Sequence, residues 1–278
     1  MQNKSFVQNF WTGIRKRANR VFANPYREVN VGWFKLKYYK HLPPGKLRKH
    51  LLLGKWVYFN SSTELLHALK EIFIDKIYLQ PLPPQPYIID CGANIGLSVI
   101  YMKTIYPDAT ILAFEPDEKN FELLSKNITE RAYTNVTLRK EAIWVENTEL
   151  NFSNEASMSS KINSEDKADA IKVKAVRLRD FLAQKVDFLK MDIEGAEFAV
   201  ISDLADKLHF VQHLFIEYHG LFSQHTELTK IFSIISSSGF SYYNKEAAAV
   251  FNTPFTQKKD YEIPYDVQLN IFCFRPQV

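Results

Sequence analysis

The sequence predicts a doubly wound α/β fold, a mostly parallel sheet with helices on both faces, and three observations carry that prediction. Beyond residue 86, short apolar runs alternate with segments of helical periodicity, the pattern of a parallel sheet whose crossovers are helices. The first of these runs, Tyr87 to Cys91, passes through a turn containing Gly92 and Gly96 into a helical segment. The next apolar run ends at Glu115, 25 positions after Asp90, a distance that suits an acid binding two ribose hydroxyls in such a fold.

The elements are justified in chain order. Residues 4–22 read as an amphipathic helix with Phe6, Val7, Phe10, Trp11, Ile14, Val21 and Phe22 on one arc and Lys16 and Arg20 opposite. Such a helix packs its stripe on the protein, lies on an anionic lipid surface, or contacts nucleic acid. From Val29 to Asn60, aromatics, lysines and β-branched residues predict short strands or irregular structure, with a turn at Leu42-Pro43-Pro44-Gly45. Ser62 or Thr63 is placed to cap a helix reaching about Tyr78, and the cluster Pro81 to Pro86 ends this region because proline cannot continue a helix. The expected division is a basic N-terminal extension over residues 1–83 and a catalytic domain over residues 84–278.

Within the second part the predicted order begins with strand 87–91, helix 96–105, strand 110–114, helix 118–127 and strand 136–144. A polar stretch then precedes strand 186–191, a helix near 197–205 and strand 211–218. A helix around 228–237 and strands at 240–243 and 269–274 complete it, the last two antiparallel at one edge.

Composition narrows the function classes. Hydrophobic residues make up 46% and charged residues 24%, and no apolar run approaches the roughly 20 residues of a membrane-spanning helix. The opening residues lack an apolar run followed by a small-residue cleavage site, so the expected location is cytoplasmic. Cys91 and Cys273 sit in apolar strand patterns and read as reduced core residues. The net charge of +4 conceals an asymmetry: residues 1–60 hold 13 Lys or Arg and one acid, Glu28, so they carry +12 and the remaining 218 residues carry −8. A basic appendage of this kind suits an anionic partner, and peripheral contact with an anionic membrane face through the N-terminal helix is the expected form. Nucleic acid is not the expected partner.

The residues that carry chemistry lie at predicted strand ends. In YIIDCGANIGLSVIYM, the segment Asp90 to Ser98 supplies a strand-end acid, glycines at a tight turn and exposed amides at a helix start, which together receive an anionic ligand group. Asn94 stands where a dinucleotide fingerprint has glycine, which argues against nicotinamide chemistry. In FLKMDIEGAEF, Asp192 and Glu194 follow an apolar strand, and Glu197 adds a third acid; Glu217 and His219 close the strand HLFIEYHG. Working groups of open α/β sheets gather at carboxyl strand ends. A histidine there could take a proton from a hydroxyl, and paired carboxylates could do so directly or through a bound divalent metal, for which Asp192 and Glu217 are the expected pair.

The motifs DCGANIGLS, FEP and KMDIEGAEF, followed by the IEYHG strand end, occur in an order and spacing that resembles the FkbM family of methyltransferases over roughly residues 71–220. The resemblance implies a Rossmann-like, class I methyltransferase fold and S-adenosylmethionine as cofactor, the glycine turn receiving its methionine carboxylate. The methyl group would pass to oxygen, often a hydroxyl of a sugar, glycan or natural product, in polysaccharide or secondary-metabolite biosynthesis. By position, Asp90, Gly92, Asn94, Gly96, Ser98 and Glu115 would hold the cofactor, with Ala142 and Ile143 near its adenine. Asp192, Glu194, Glu217 and His219 would line the acceptor side. Three rival readings stay open at this point: a nucleic-acid methyltransferase, a nicotinamide oxidoreductase, and a non-catalytic protein that binds cofactor without turnover.

Overall fold

A computed structural model describes residues 24–152, 171–259 and 264–276. The amphipathic helix expected over residues 4–22 lies outside them. The chain forms two compact units, residues 1–79 with 126–131 and residues 80–125 with 132–278.

In the first unit, α1 (Trp33–Lys40) precedes a hairpin of β1 (Arg48–Leu52) and β2 (Lys55–Phe59). The short strands expected over residues 29–60 are this hairpin, whereas the helix Trp33–Lys40 corrects the expectation of strand or irregular structure there. Alternation sets the hairpin's faces: His50, Leu52, Val57 and Phe59 are buried, whereas Lys49, Leu51 and Trp56 are exposed. Tyr39 of α1 packs on the buried face against His50 and Phe59. Helix α2 (Ser62–Ala68) runs into a wider helical turn, Leu69–Ile74, and its cap is Ser61, whose side chain accepts from Glu64 N–H. The cap expected at Ser62 or Thr63 is thus one position early, because Ser61 keeps extended backbone while Ser62 is already helical.

The second unit holds a seven-stranded sheet. It comprises β3 (Tyr87–Cys91), α3 (Leu97–Ile105), β4 (Thr110–Phe114), α4 (Glu118–Arg131, whose last six residues group with the first unit) and β5 (Val136–Arg139). There follow β6 (Ala142–Trp144), β7 (Thr148–Phe152), β8 (Ile171–Arg177), β9 (Val186–Met191), α5 (Glu197–Asp203) and β10 (Val211–Gly220). Helix α6 (His225–Ser237), β11 (Ser241–Glu246) and β12 (Val267–Phe274) complete it.

The sheet order is β11-β12-β10-β9-β3-β4-β5, parallel except where β12 runs antiparallel to both neighbours. The chain order reverses around β3, which has β4 on one side and β9 on the other. That position explains why Ile88, Ile89, Leu189 and Met191 are fully buried, each stabilising the fold by about 1.5–3 kcal/mol.

The strand expected over residues 136–144 is two strands. β5 ends the main sheet, and β6 joins a separate three-stranded sheet of order β6-β8-β7. The break falls at Lys140-Glu141, where buried Glu141 turns back to bond the Arg139 guanidinium.

Candidate functional site

The site is built where β3 and β9 run side by side. Their register pairs Asp90 with Lys190 and Cys91 with Met191, so the chain leaves both strands at the same level. Asp192 N–H donates to Cys91 C=O at 3.1 Å. Gly92 then passes so close to β9's exit that a Cβ added to it would lie 1.9 Å from the Asp192 carbonyl oxygen, and its φ is +88°. No other residue type fits both conditions.

The turn is fixed before any ligand arrives. Gly92 and Ala93 N–H donate to Phe114 C=O at 3.0 and 2.8 Å. Asn94 adopts φ 48°, a left-handed conformation asparagine tolerates, and Gly96, at φ 88°, starts α3 without a side-chain cap. The first α3 amides are thus left to meet an anion. Asp90 is buried and accepts from Ser98 Oγ at 2.5 Å, with Lys190 Nζ 3.2 Å from its other oxygen.

Glu115 closes the other wall. Its Oε2 accepts from Asn94 N–H at 2.7 Å and its Oε1 from Asp117 N–H at 2.9 Å. Burial pushes its carboxyl up to about 7 against the lowering effect of those two donors. A carboxylate has lone pairs to spare after two such bonds, so both oxygens keep acceptor capacity. Ala142 and Ile143 have fully buried side chains on β6.

The acceptor-side residues converge. Ligand atoms of Asp192, Glu194 and His219 lie within 4.8 Å of one another. Glu194 holds φ 55° and accepts from Tyr265 O–H at 3.0 Å. The residue is exposed overall, yet burial of its carboxyl, opposed by the nearby His219, raises that group above the ordinary range. Glu217 stands at the rim, its Oε1 3.7 Å from His219 Nε2.

His219 is buried in β10 rather than on a loop. Burial alone lowers its basicity, but Glu197, Glu194 and Asp192 outweigh that and raise it to about 10. The three acids around the ring thus favour its protonated form.

Three contributors escaped the sequence reading or were undervalued by it. Glu197 is completely buried; its Oε1 accepts from Ile193 and Gly195 N–H at 3.2 and 3.0 Å and lies 3.3 Å from His219 Nδ1. Lys190, buried, donates to Gly92 C=O at 2.7 Å and sits between Asp90 and Asp192. Tyr265 arrives from the segment before β12, its ring centroid 4.7 Å from that of His219. A lysine inside an otherwise apolar strand was a readable signal for the second. Tyr265 had none, because nothing local marks it.

With this geometry in place, the comparison with known families is decisive: the sequence model of the methyltransferase FkbM domain matches residues 90–242, more than half of the chain. The chain belongs to the FkbM methyltransferase domain family. Membership places it among S-adenosylmethionine-dependent methyltransferases. Relatives include Methyltransferase 1 of Beauveria bassiana (strain ARSEF 2860), 34% identical over 173 residues that make up 52% of this chain and 69% of that protein. The 31-O-demethyl-FK506 methyltransferase FkbM of Streptomyces tacrolimicus is 26% identical over 191 residues, 55% of this chain and 74% of that one. A crystal structure of methyltransferase FkbM from Methylobacillus flagellatus KT matches with 18% identity and a TM-score of 0.46, covering 70% of this chain. The match takes in 45% of that protein's length.

Relative to the FkbM match, Asp90, Glu115, Asp192, Glu194, Glu197, Glu217 and His219 fall inside residues 90–242, and Tyr265 falls outside them.

Proposed function

We propose that this chain transfers the methyl group of S-adenosylmethionine to a hydroxyl oxygen of a sugar, glycan or glycolipid precursor. The observation that carries the reading is the junction of the Gly92 turn with the Asp192 exit, which sets the cofactor wall beside a cluster of acids and an imidazole. The name of the Streptomyces relative, 31-O-demethyl-FK506 methyltransferase, supports oxygen as the acceptor atom.

The α3 amides would receive the cofactor's carboxylate and Glu115 its ribose diol. Transfer from a sulfonium is an in-line displacement, so most of the acceleration comes from holding the acceptor oxygen in line in a dry pocket. An alcohol needs its proton drawn away as the bond forms. Asp192, whose N–H bonds Cys91 C=O beside the turn, takes that proton. His219, oriented by Glu197, hydrogen-bonds the acceptor and balances the carboxylates.

The same donor set fits a divalent cation. Two carboxylates and, once His219 has released its proton, an imidazole whose Nδ1 faces a buried carboxylate match a hard-metal site with a supporting second layer. Asp192, Glu194 and His219 would hold the ion, Glu194 taking the place expected for Glu217. A bound metal would make the acceptor hydroxyl more acidic. The test is transfer of labelled methyl from S-adenosylmethionine into glycan and glycolipid fractions, by wild type, Asp192→Asn and His219→Ala. Labelling of a glycan by wild type and its loss in Asp192→Asn, with cofactor affinity unchanged, supports the proposal. Full activity in both variants contradicts it.

A further inference from the structure

The β1–β2 hairpin of the first unit exposes a face that the methyl-transfer chemistry does not use. Side chains at alternate positions share a face, and the register pairs Leu51 with Trp56 and Lys49 with Tyr58. Leu51 and Trp56 are exposed, as is Leu47, which precedes β1 in the same alternation. Lys49 Nζ lies 4.3 Å from the Trp56 ring centroid, and Lys126 Nζ lies 3.8 Å from that of Tyr58. Lys46 is exposed just before Leu47 in the chain.

The hairpin's tip adds a second anomaly. Leu53 and Gly54, its two central residues, have φ of +52° and +77°, the turn that favours Asn-Gly or Asp-Gly. A leucine in the left-handed region costs about 1 kcal/mol relative to residues suited to it, and Leu53 is 50% exposed, so its side chain returns nothing to the core. A costly apolar residue at an exposed tip is consistent with use outside the folded unit.

We propose that this hairpin is a docking element for an anionic lipid bilayer, with Leu51, Leu53 and Trp56 entering the interface and Lys46, Lys49 and Lys126 meeting the headgroups. Charge complementarity selects the occupant. Residues 24–60 carry eight Lys or Arg against Glu28 alone, so the face repels a second copy of itself. It equally repels residues 1–23, which contain five Lys or Arg and no acid. Nucleic acid satisfies the charge but not the leucines, because branched aliphatic side chains gain more from hydrocarbon than from stacked bases. Tryptophan and lysine at the collar match the polar layer of a bilayer, where one end of the side chain is apolar and the other wet.

The experiment is flotation of the full chain with phosphatidylcholine vesicles, alone or with about one third phosphatidylglycerol, without cofactor. It is therefore independent of the methyl-transfer reading. Wild type is expected to partition onto the anionic vesicles and to lose most of that binding at 0.5 M salt. Leu53→Asn places a residue suited to the left-handed turn, so its melting temperature holds or rises while partitioning falls severalfold. Leu51→Ser, Leu53→Asn and Trp56→Ser together lower partitioning by about tenfold or more. Wild type that ignores lipid charge, or a triple variant that floats as well as wild type, overturns the proposal. So does salt-sensitive binding to a single-stranded oligouridine probe that exceeds vesicle binding and survives the triple substitution.

Discussion

Glu115→Gln removes one negative charge from the cofactor wall while leaving its volume unchanged. In wild type both carboxylate oxygens accept backbone N–H, from Asn94 and Asp117, and both keep lone pairs for the ribose diol. A glutamine presents one oxygen and one NH2, so one buried N–H faces a donor and one ribose hydroxyl loses its acceptor. Hydrogen bonds to a charged group contribute roughly 1.5–3 kcal/mol each, so loss of one or two should weaken S-adenosylmethionine binding by about 3 kcal/mol, on the order of a hundredfold in Kd.

The same carboxyl sets a pH dependence. Its folded value of about 7 exceeds the ordinary 4.5 because burial penalises the charged form. Raised in this way, the group adds stability to the apo protein below about pH 4.5, and that contribution is lost as pH rises through 7. Cofactor affinity runs the other way, since the diol requires the carboxylate. Calorimetric Kd values should tighten between pH 6 and 8 in wild type and stay flat over that range in Glu115→Gln. A variant Kd within threefold of wild type, or a wild-type affinity independent of pH, would refute the reasoning.

Two further substitutions test the frame of the site. Gly92→Ala drives a Cβ into the Asp192 carbonyl and places alanine at φ +88°; urea unfolding should show a loss of roughly 2–4 kcal/mol, and a loss under 1 kcal/mol would mean the turn yields. Lys190→Met leaves Asp90 and Asp192 without the cation between them. Removing one partner of a buried ionic group costs about 3–5 kcal/mol, so unfolding midpoints should fall well below wild type; near-neutral behaviour would show that Lys190 contributes little.

The turn from Asp90 to Ser98 was legible because its requirements are local. A tight turn needs glycines, a strand-end acid needs a partner, and both occur within nine residues of Asp90. The alternation of strands and helices likewise placed β3, β4, β9 and β10, since strands covered on both faces show as continuous apolar runs. The split between β5 and β6 was hidden because Lys140-Glu141 carries no glycine or proline, and the chain turns there through an ion pair instead. The polar stretch before β9 concealed β7 and β8, whose sheet is small and carries lysine and glutamate on its strands.

Within the acceptor cluster, the residue types were readable but their division of labour was not. Glu197 looked like an acid at a helix start, a role served by any carboxylate there. Only the fold shows that it is fully buried against His219 and two backbone amides. Tyr265 lies 71 residues after Glu194, and its contact with that acid exists only once β12 has inserted beside β10. The raised basicity of His219 also depends on three acids meeting around it, which spacing alone does not give.

The central claim is that the Asp90–Ser98 turn and Glu115 bind S-adenosylmethionine. Calorimetric titration of the wild-type chain with S-adenosylmethionine and, separately, with NAD at pH 8 tests it most directly. The account predicts one-to-one binding of S-adenosylmethionine and none of NAD; no heat with the methyl donor, or tighter binding of NAD, would contradict it.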